Sequence, residues 1–320
     1  MIGWLIQAGR PILAPVVAAV LIVLVISGLS AVMARAPLVR RAPGWARDLA
    51  AALAICLAIL EIAGLLASNL GAFAACAPAY QEALLALYQR VALHFDFDEA
   101  ATLEAIRAEA ARLIDLPGLA RTAAGSALGA LAVLVFVLLN VGFLMVERTG
   151  FAAKLDRLGL APAARARVGA VIAEINARVG TYLAAKTLVN IALGLMSWLI
   201  MLAFGLEFAV IFAIVIAVLN YIPYFGSFVG VAFPALAALV TFPEPSAAVW
   251  LVFCLAGAQF LIGNVIEPQV MGASLNLSPW VILIALTVWG ALWGVAGAVF
   301  SVPITATMMV VLAAFEGTRL

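Results

Sequence analysis

The chain has 320 residues, of which 67% are hydrophobic and 10% charged. Soluble domains are about 45–50% apolar and about 25% charged, so this composition has too little polar surface to cover a water-soluble body and points to a bilayer as solvent. Seventeen Lys plus Arg against sixteen Asp plus Glu leave a formal charge of +1, which excludes the basic excess of a nucleic-acid binder and the acidic excess of a solvating tail.

A helix rises about 1.5 Å per residue, so a hydrocarbon core of about 30 Å takes roughly 20 apolar residues to cross. Residues 12–33 form the first such run. Ala34-Arg35-Ala36 has the small-x-small form of a signal cleavage site. The run is longer than a signal h-region, however, and the arginines that follow read as a stop-transfer flank. The next segment, 34–48, carries Arg35, Arg40, Arg41 and Arg47 against the single acid Asp48. A second run fills 49–70, with Glu61 in its middle and no basic residue in the same helix to pair with it.

Segment 71–122 is polar and helical in pattern. Asp98 suits a helix cap, Glu99 favours the positive end of the first turn, and Leu103, Ile106, Ala110 and Leu113 follow at three- and four-residue spacing. The segment also holds His94, the one histidine, and Cys76. With Cys56 and Cys254 the cysteines are three, far apart and without Cys-x-x-Cys spacing, so neither a disulfide framework nor a zinc site follows.

Residues 124–146 form a third run. Segment 147–186 is basic again and begins a helix near Pro162, with Val168, Ile172, Ile175, Val179 and Leu183 on one face. Arg165, Glu174 and Arg178 lie elsewhere, the last two as an i,i+4 pair. Positive charge concentrates on the cytoplasmic side of membrane proteins, which assigns 34–48 and 147–186 to the cytoplasm and the acidic 71–122 to the outside. If 12–33 crosses once, the amino terminus is outside.

From 187 to 315 there is no Lys or Arg, and the acids are Glu207, Glu244 and Glu267. About five further passages or half-passages fit there. Two stretches interrupt them: Asn220-Tyr221-Ile222-Pro223-Tyr224-Phe225-Gly226, and Asn264-Val265-Ile266-Glu267-Pro268-Gln269-Val270-Met271-Gly272. Proline lacks an amide and clashes with the carbonyl four residues back, and hydrocarbon offers freed backbone groups no partner, so such breaks belong against protein or a lined cavity. Paired interruptions in apolar segments are the pointer to a transporter's binding region. Gln259 puts a further amide inside the run that leads to Asn264. Glu267 is a candidate ion or proton site, because an acid at mid-helix costs about 2.5–3.5 kcal/mol on insertion scales and needs a partner or a proton. The competing reading makes both stretches ordinary turns wetted at the membrane surface. Gly290, Gly294 and Gly297 give the last run a small-residue packing face, and residues 279–315 are long enough for two helical pieces.

The expected fold is therefore an all-α polytopic membrane protein with about 7–8 transmembrane or half-spanning helices and two amphipathic segments. Its divisions are 1–70 (membrane helices and the Arg-rich loop 34–48), 71–122 (extracytoplasmic), 123–146 (membrane helix), 147–186 (cytoplasmic amphipathic helix) and 187–316 (a bundle with broken helices). The expected substrate- or ion-binding residues are Asn220, Tyr221, Pro223, Tyr224, Gly226, Gln259, Asn264, Glu267, Pro268 and Gln269, with no cofactor, no metal and no catalytic group.

Asn220 to Gly226 with Phe233-Pro234-Ala235, Glu267 to Gly272 with Leu277-Ser278-Pro279, and Trp293-Gly294-Val295-Ala296-Gly297 with Val302-Pro303-Ile304 resemble, in order and spacing, the autoinducer-2 exporter (AI-2E) family. The resemblance covers about residues 10–315. It implies an inner-membrane protein that moves small solutes outward, with autoinducer-2 export and sodium/proton antiport both associated with relatives, and a homo-oligomer, a pentamer among known relatives. One departure stands out: the family has an additional apolar helix at the amino terminus, where only Met1 to Gln7 precede Arg10 here. The expected partners are thus a small-molecule or ion substrate, the lipid bilayer and further copies of the chain, with no nucleic acid. A cation/proton antiporter built on Glu267, with Glu61, and a non-transporting membrane scaffold are the alternatives to an exporter.

Overall fold

In a computed structural model the chain is described over residues 2–34, 41–65, 116–157, 161–242, 244–271 and 277–314, with single positions between them. The expected outer helix and its residues Asp98, Glu99, Leu103, Ile106, Ala110 and Leu113, with His94 and Cys76, lie outside the described residues, as does Gly272. The described residues are helical and contain no strand. The helices are α1 (Ile2–Ala8), α2 (Arg10–Met33), α3 (Gly44–Leu65), α4 (Leu116–Arg157), α5 (Pro162–Ala203), α6 (Ala209–Leu219), α7 (Phe225–Thr241), α8 (Pro245–Met271), α9 (Pro279–Trp293) and α10 (Val295–Ala313). Six stretches among them, in α2, α3, α4, α5, α8 and α10, are long and apolar enough to cross a bilayer. The fold is all-α and polytopic.

The apolar residues sort into three buried clusters, and α2 belongs to two of them. Ala19 and Ile26, seven residues apart and so on one face, pack with Ala51 of α3 and Val137 and Val141 of α4. Leu21 and Leu24 look the other way, onto Val179 and Leu183 of α5 and Val302 and Ala306 of α10. The third cluster joins α5, α6, α7 and α8 through Leu193, Met201, Phe212, Ile216, Ala238, Leu251 and Leu255. Elsewhere the surface is covered with large apolar side chains such as Leu57, Phe143 and Phe253, as a lipid-facing surface requires.

Where α2 crosses α5 the backbones nearly touch. A Cβ on Gly28 would stand 2.2 Å from the Gly180 carbonyl oxygen, so only glycine fits. The crossing coincides with a π-helical turn in α5, Asn176–Gly180. The amphipathic stretch expected over 147–186 is thus divided between the end of α4 and the first half of α5, and α5 runs on without a break through residue 186. Its face is as the periodicity requires: Val179 and Leu183 are buried, Val168, Ile172 and Ile175 are half-buried, and Glu174 and Arg178 are exposed and ion-paired at 2.6 Å.

Arg148 of α4 bonds Asp48 of α3 at 2.8 Å and also reaches Ser27 of α2. The described part of the first basic segment, residues 41–48, therefore lies at the same end of the bundle as the basic end of α4, as the charge distribution implies.

Proline does different things in the two interrupted stretches. α6, of 11 residues, is only about 16 Å long and cannot cross the hydrocarbon core. It stops because Pro223 has no amide for the Leu219 carbonyl, which accepts from Ile222 instead at 2.8 Å. The chain then reverses into α7, and the pair forms a hairpin whose tip, residues 220–224, carries the polar residues. At 264–272 the expected break is absent through Met271. α8 widens into a π-helical turn at Leu261–Ile266, the Glu267 amide bonds the carbonyl five residues back at Ile262, and the helix continues across Pro268. A π turn ahead of the proline absorbs the lost bond that would otherwise end the helix.

Residues 279–315 do form two pieces. α9 and α10 reverse at Gly294, whose φ of +66° suits glycine, and a Cβ on Gly297 would meet the Trp289 carbonyl oxygen at 1.8 Å. Pro303 lies within α10.

Candidate functional site

The hairpin tip and the end of α8 meet around an open cavity of about 1060 Å³, lined also by residues of α5 and by Ile282 of α9 and Val302 of α10. α5 contributes Tyr182 and Lys186, the hairpin Asn220, Pro223, Tyr224 and Ser227, and α8 Gln259, Asn264 and Glu267. The α8 positions fall three to five residues apart, one face of a helix. Phe228, Phe260 and Ile222 supply apolar wall between them.

Six of the residues expected at a binding site line this cavity: Asn220, Pro223, Tyr224, Gln259, Asn264 and Glu267. The other four do not. Tyr221 turns behind the wall, its hydroxyl 2.7 Å from Thr187 Oγ1. Gly226 is buried in the hairpin turn, where a Cβ would lie 1.9 Å from the Leu219 carbonyl oxygen; its absent side chain lets the turn close. Pro268 and Gln269 are exposed on the last turn of α8, away from the lining. Glu61 is exposed on α3 and takes no part in the cavity.

Two polar clusters stand on the wall. In the first, Asn220 Nδ2 donates to Asn190 Oδ1 at 2.8 Å, and Gln259 Nε2 donates to Asn220 Oδ1 and to Ser227 Oγ, both at 2.9 Å. Side-chain amides tie α5 and α8 to the hairpin tip where the chain leaves α6, and Asn190 Nδ2 is buried beside them without a hydrogen-bond partner among the described residues. In the second, Lys186 Nζ donates to Glu267 Oε1 at 2.6 Å, with side chains 8% and 22% exposed. This pair joins α5 to the end of α8.

Sequence reasoning missed Lys186, Tyr182, Thr187, Asn190 and Ser227. Lys186 reads in sequence as the last charge of a basic loop. The signal that would have found it is spacing: Tyr182, Lys186, Asn190 and Ser197 recur at four- and seven-residue intervals into the apolar run, a polar stripe on a helix that has already entered the membrane.

Tyr224 holds a left-handed backbone, φ +62°, with its ring exposed at the cavity. Such a conformation costs a non-glycine residue about 1–3 kcal/mol and is maintained here by the turn that Pro223 and Gly226 close. Among the described residues no three His, Cys, Asp or Glu side chains converge as a metal site.

The sequence pattern of a family described as "AI-2E family transporter" matches residues 1–317. A protein of Borreliella burgdorferi with the provisional name of transport protein is 34% identical over 180 residues, 56% of this chain and 49% of its own length. YrrI of Bacillus subtilis is 34% identical over 155 residues, 48% of this chain and 43% of its own. The AI-2 transport protein TqsA of Escherichia coli is 30% identical over 183 residues, 57% of this chain and 52% of its own. The chain thus spans about half the length of the curated relatives it matches.

Proposed function

The chain belongs to the AI-2E transporter family and is a multi-pass protein of the inner membrane, and from that premise we propose that it is a secondary transporter exporting a small polar metabolite through the cavity between α5, the α6–α7 hairpin and α8. The observation that carries this reading is the convergence of Asn220, Gln259, Asn264 and the Lys186–Glu267 pair on one cavity inside an otherwise apolar half. Polar side chains are expensive in hydrocarbon, and a cavity of this volume lined by them is suited to exchanging a solute's water for protein hydrogen bonds. One relative carries AI-2 transport in its name, which supports a solute of that size and polarity. The hairpin ends short of the far side of the membrane, so a modest tilt of α6 and α7 against α8 opens the cavity to one side or the other.

The test is export by proteoliposomes. Replacing Asn220 and Asn264 together with Ala, with expression and monodispersity intact, should lower flux of a transported solute at least tenfold. Unchanged flux removes the site.

A second reading, cation/proton antiport, is favoured by the position of Glu267 on the cavity wall beside a cation. It requires that Glu267→Gln abolish sodium-dependent proton movement in a dye-quench assay, and a null result there removes it. Assembly into a homo-oligomer accompanies both readings, through the apolar surface of α3 and α4, and the mass of the detergent-solubilised particle tests it.

A further inference from the structure

The cavity wall holds one full positive and one full negative charge, Lys186 and Glu267, and they neutralise each other across 2.6 Å. From 187 to 315 no other Lys or Arg exists to compensate either one. A solute bearing a single charge that took one partner would strand the other in an apolar wall, and an unpaired charge there is penalised heavily. A neutral solute leaves the pair closed and gains neutral hydrogen bonds alone. Only a solute carrying both signs replaces both halves of the pair at once.

The amide cluster adds a direction. Both Nε2 hydrogens of Gln259 are engaged, by Asn220 Oδ1 and Ser227 Oγ, and Asn220 Nδ2 donates away from the cavity to Asn190 Oδ1. The carbonyl oxygen of Gln259 and the hydroxyl hydrogen of Ser227 are left, so this end of the cavity offers an acceptor and a donor side by side, as a neutral polar group of a solute requires. Asn264 stands between the two ends on the same helix. Gln259 and Glu267 are eight residues apart along α8, about 12 Å at the helical rise.

We infer that the solute is a zwitterion of amino-acid type with a neutral polar tail: its carboxylate takes Lys186, its ammonium takes Glu267, and its tail points along α8 to Gln259 and Ser227. This rests on the transport reading above and assigns the substrate class of that same cavity. Lys186 and Glu267 part as the solute enters and close on each other when it leaves, so neither charge is bare in the empty or the loaded state.

The experiment is counterflow in proteoliposomes carrying the full chain, with four solutes of similar size: L-glutamine, its decarboxylated relative 4-aminobutanamide, its deaminated relative glutaramate, and ribitol. Glutamine flux is expected to exceed each of the other three at least tenfold. In the Lys186→Met, Glu267→Gln double variant, checked for monodispersity, the glutamine-to-ribitol ratio is expected to fall at least tenfold. Ribitol, or either singly charged relative, moving as fast as glutamine overturns the zwitterion assignment and leaves the transport reading standing. An unchanged glutamine-to-ribitol ratio in the double variant overturns it as well, by making the pair purely structural. No flux of any of the four by the wild-type protein overturns the assignment and the transport reading together.

Discussion

Lys186 and Glu267 stand 81 positions apart and meet at 2.6 Å, which makes each the condition for the other. Removing one partner of a buried pair leaves a charge uncompensated, whereas replacing both by neutral side chains of similar volume removes the desolvation penalty along with the attraction. Lys186→Met alone is therefore expected to destabilise the folded protein by about 3 kcal/mol, toward the lower end of the range for buried pairs because Glu267 is partly exposed. The Lys186→Met, Glu267→Gln double variant should lose less than the single, and thermal unfolding midpoints in one detergent decide the order. A double variant less stable than Lys186→Met would show that Glu267 is not stranded by the loss of Lys186. The same logic was only half legible in sequence. Glu267 stood out because it is an isolated acid in an apolar run, while Lys186 was camouflaged by the basic residues before it. Asn190 was hidden for a different reason: a single amide in a long apolar helix has no partner in its own neighbourhood, and its partner Asn220 arrives only through the hairpin.

At the scale of elements, backbone contact decides which glycines matter. Gly28→Val is expected to force α2 away from α5, since the added Cβ would lie 2.2 Å from a carbonyl oxygen that has no freedom to move. A loss of several degrees in unfolding midpoint is the expected result, of the order of 2 kcal/mol or more, as for overpacked interiors. Gly257→Ala, in α8 with nothing within 4 Å of the added methyl, should be neutral or slightly stabilising, because glycine in a helix interior costs up to about 1 kcal/mol relative to alanine. If both variants unfold alike, the close crossing carries no strain. Proline shows the same dependence on context. Pro223 and Pro268 each remove one amide, and from sequence they look equivalent. Pro223 follows a helix of 11 residues and ends it, while Pro268 follows a π-helical turn that has already shifted the bonding by one residue. Sequence signals that a bond is lost; only the packing of α8 against α5 shows whether the helix survives the loss.

For the whole molecule, the ion pair between Arg148 and Asp48 places residues 41–48, with Arg41 and Arg47, and the basic end of α4 at the same end of the bundle. Glu207 and Glu244, at the far ends of α5 and the hairpin, fall on the opposite side. In a background lacking Cys56, Cys76 and Cys254, Arg41→Cys and Arg165→Cys are expected to react with an impermeant thiol reagent only in inverted vesicles, and Glu244→Cys only in intact cells. Labelling of Arg165→Cys and Glu244→Cys from one side would invert or break this topology. The α6–α7 hairpin is the consequence that reaches function: it enters and leaves by the acidic end, and its tip meets Thr187, Asn190 and Gln259 without crossing to the basic end.

Read alone, the sequence determined the solvent, the class of fold, the end of the bundle that holds the positive charge and the two stretches that carry polar groups in an apolar half. Each of these follows from composition or from spacing along one helix, quantities that need no knowledge of neighbours. The tertiary structure decided which side chains share the cavity, that Lys186 is one of them, that Gly226 serves the turn and not the wall, and that Pro268 lies inside a helix. Those depend on distances between residues tens of positions apart, set by how α2, α5 and α8 cross, and a periodic pattern along one helix contains no information about the face of another.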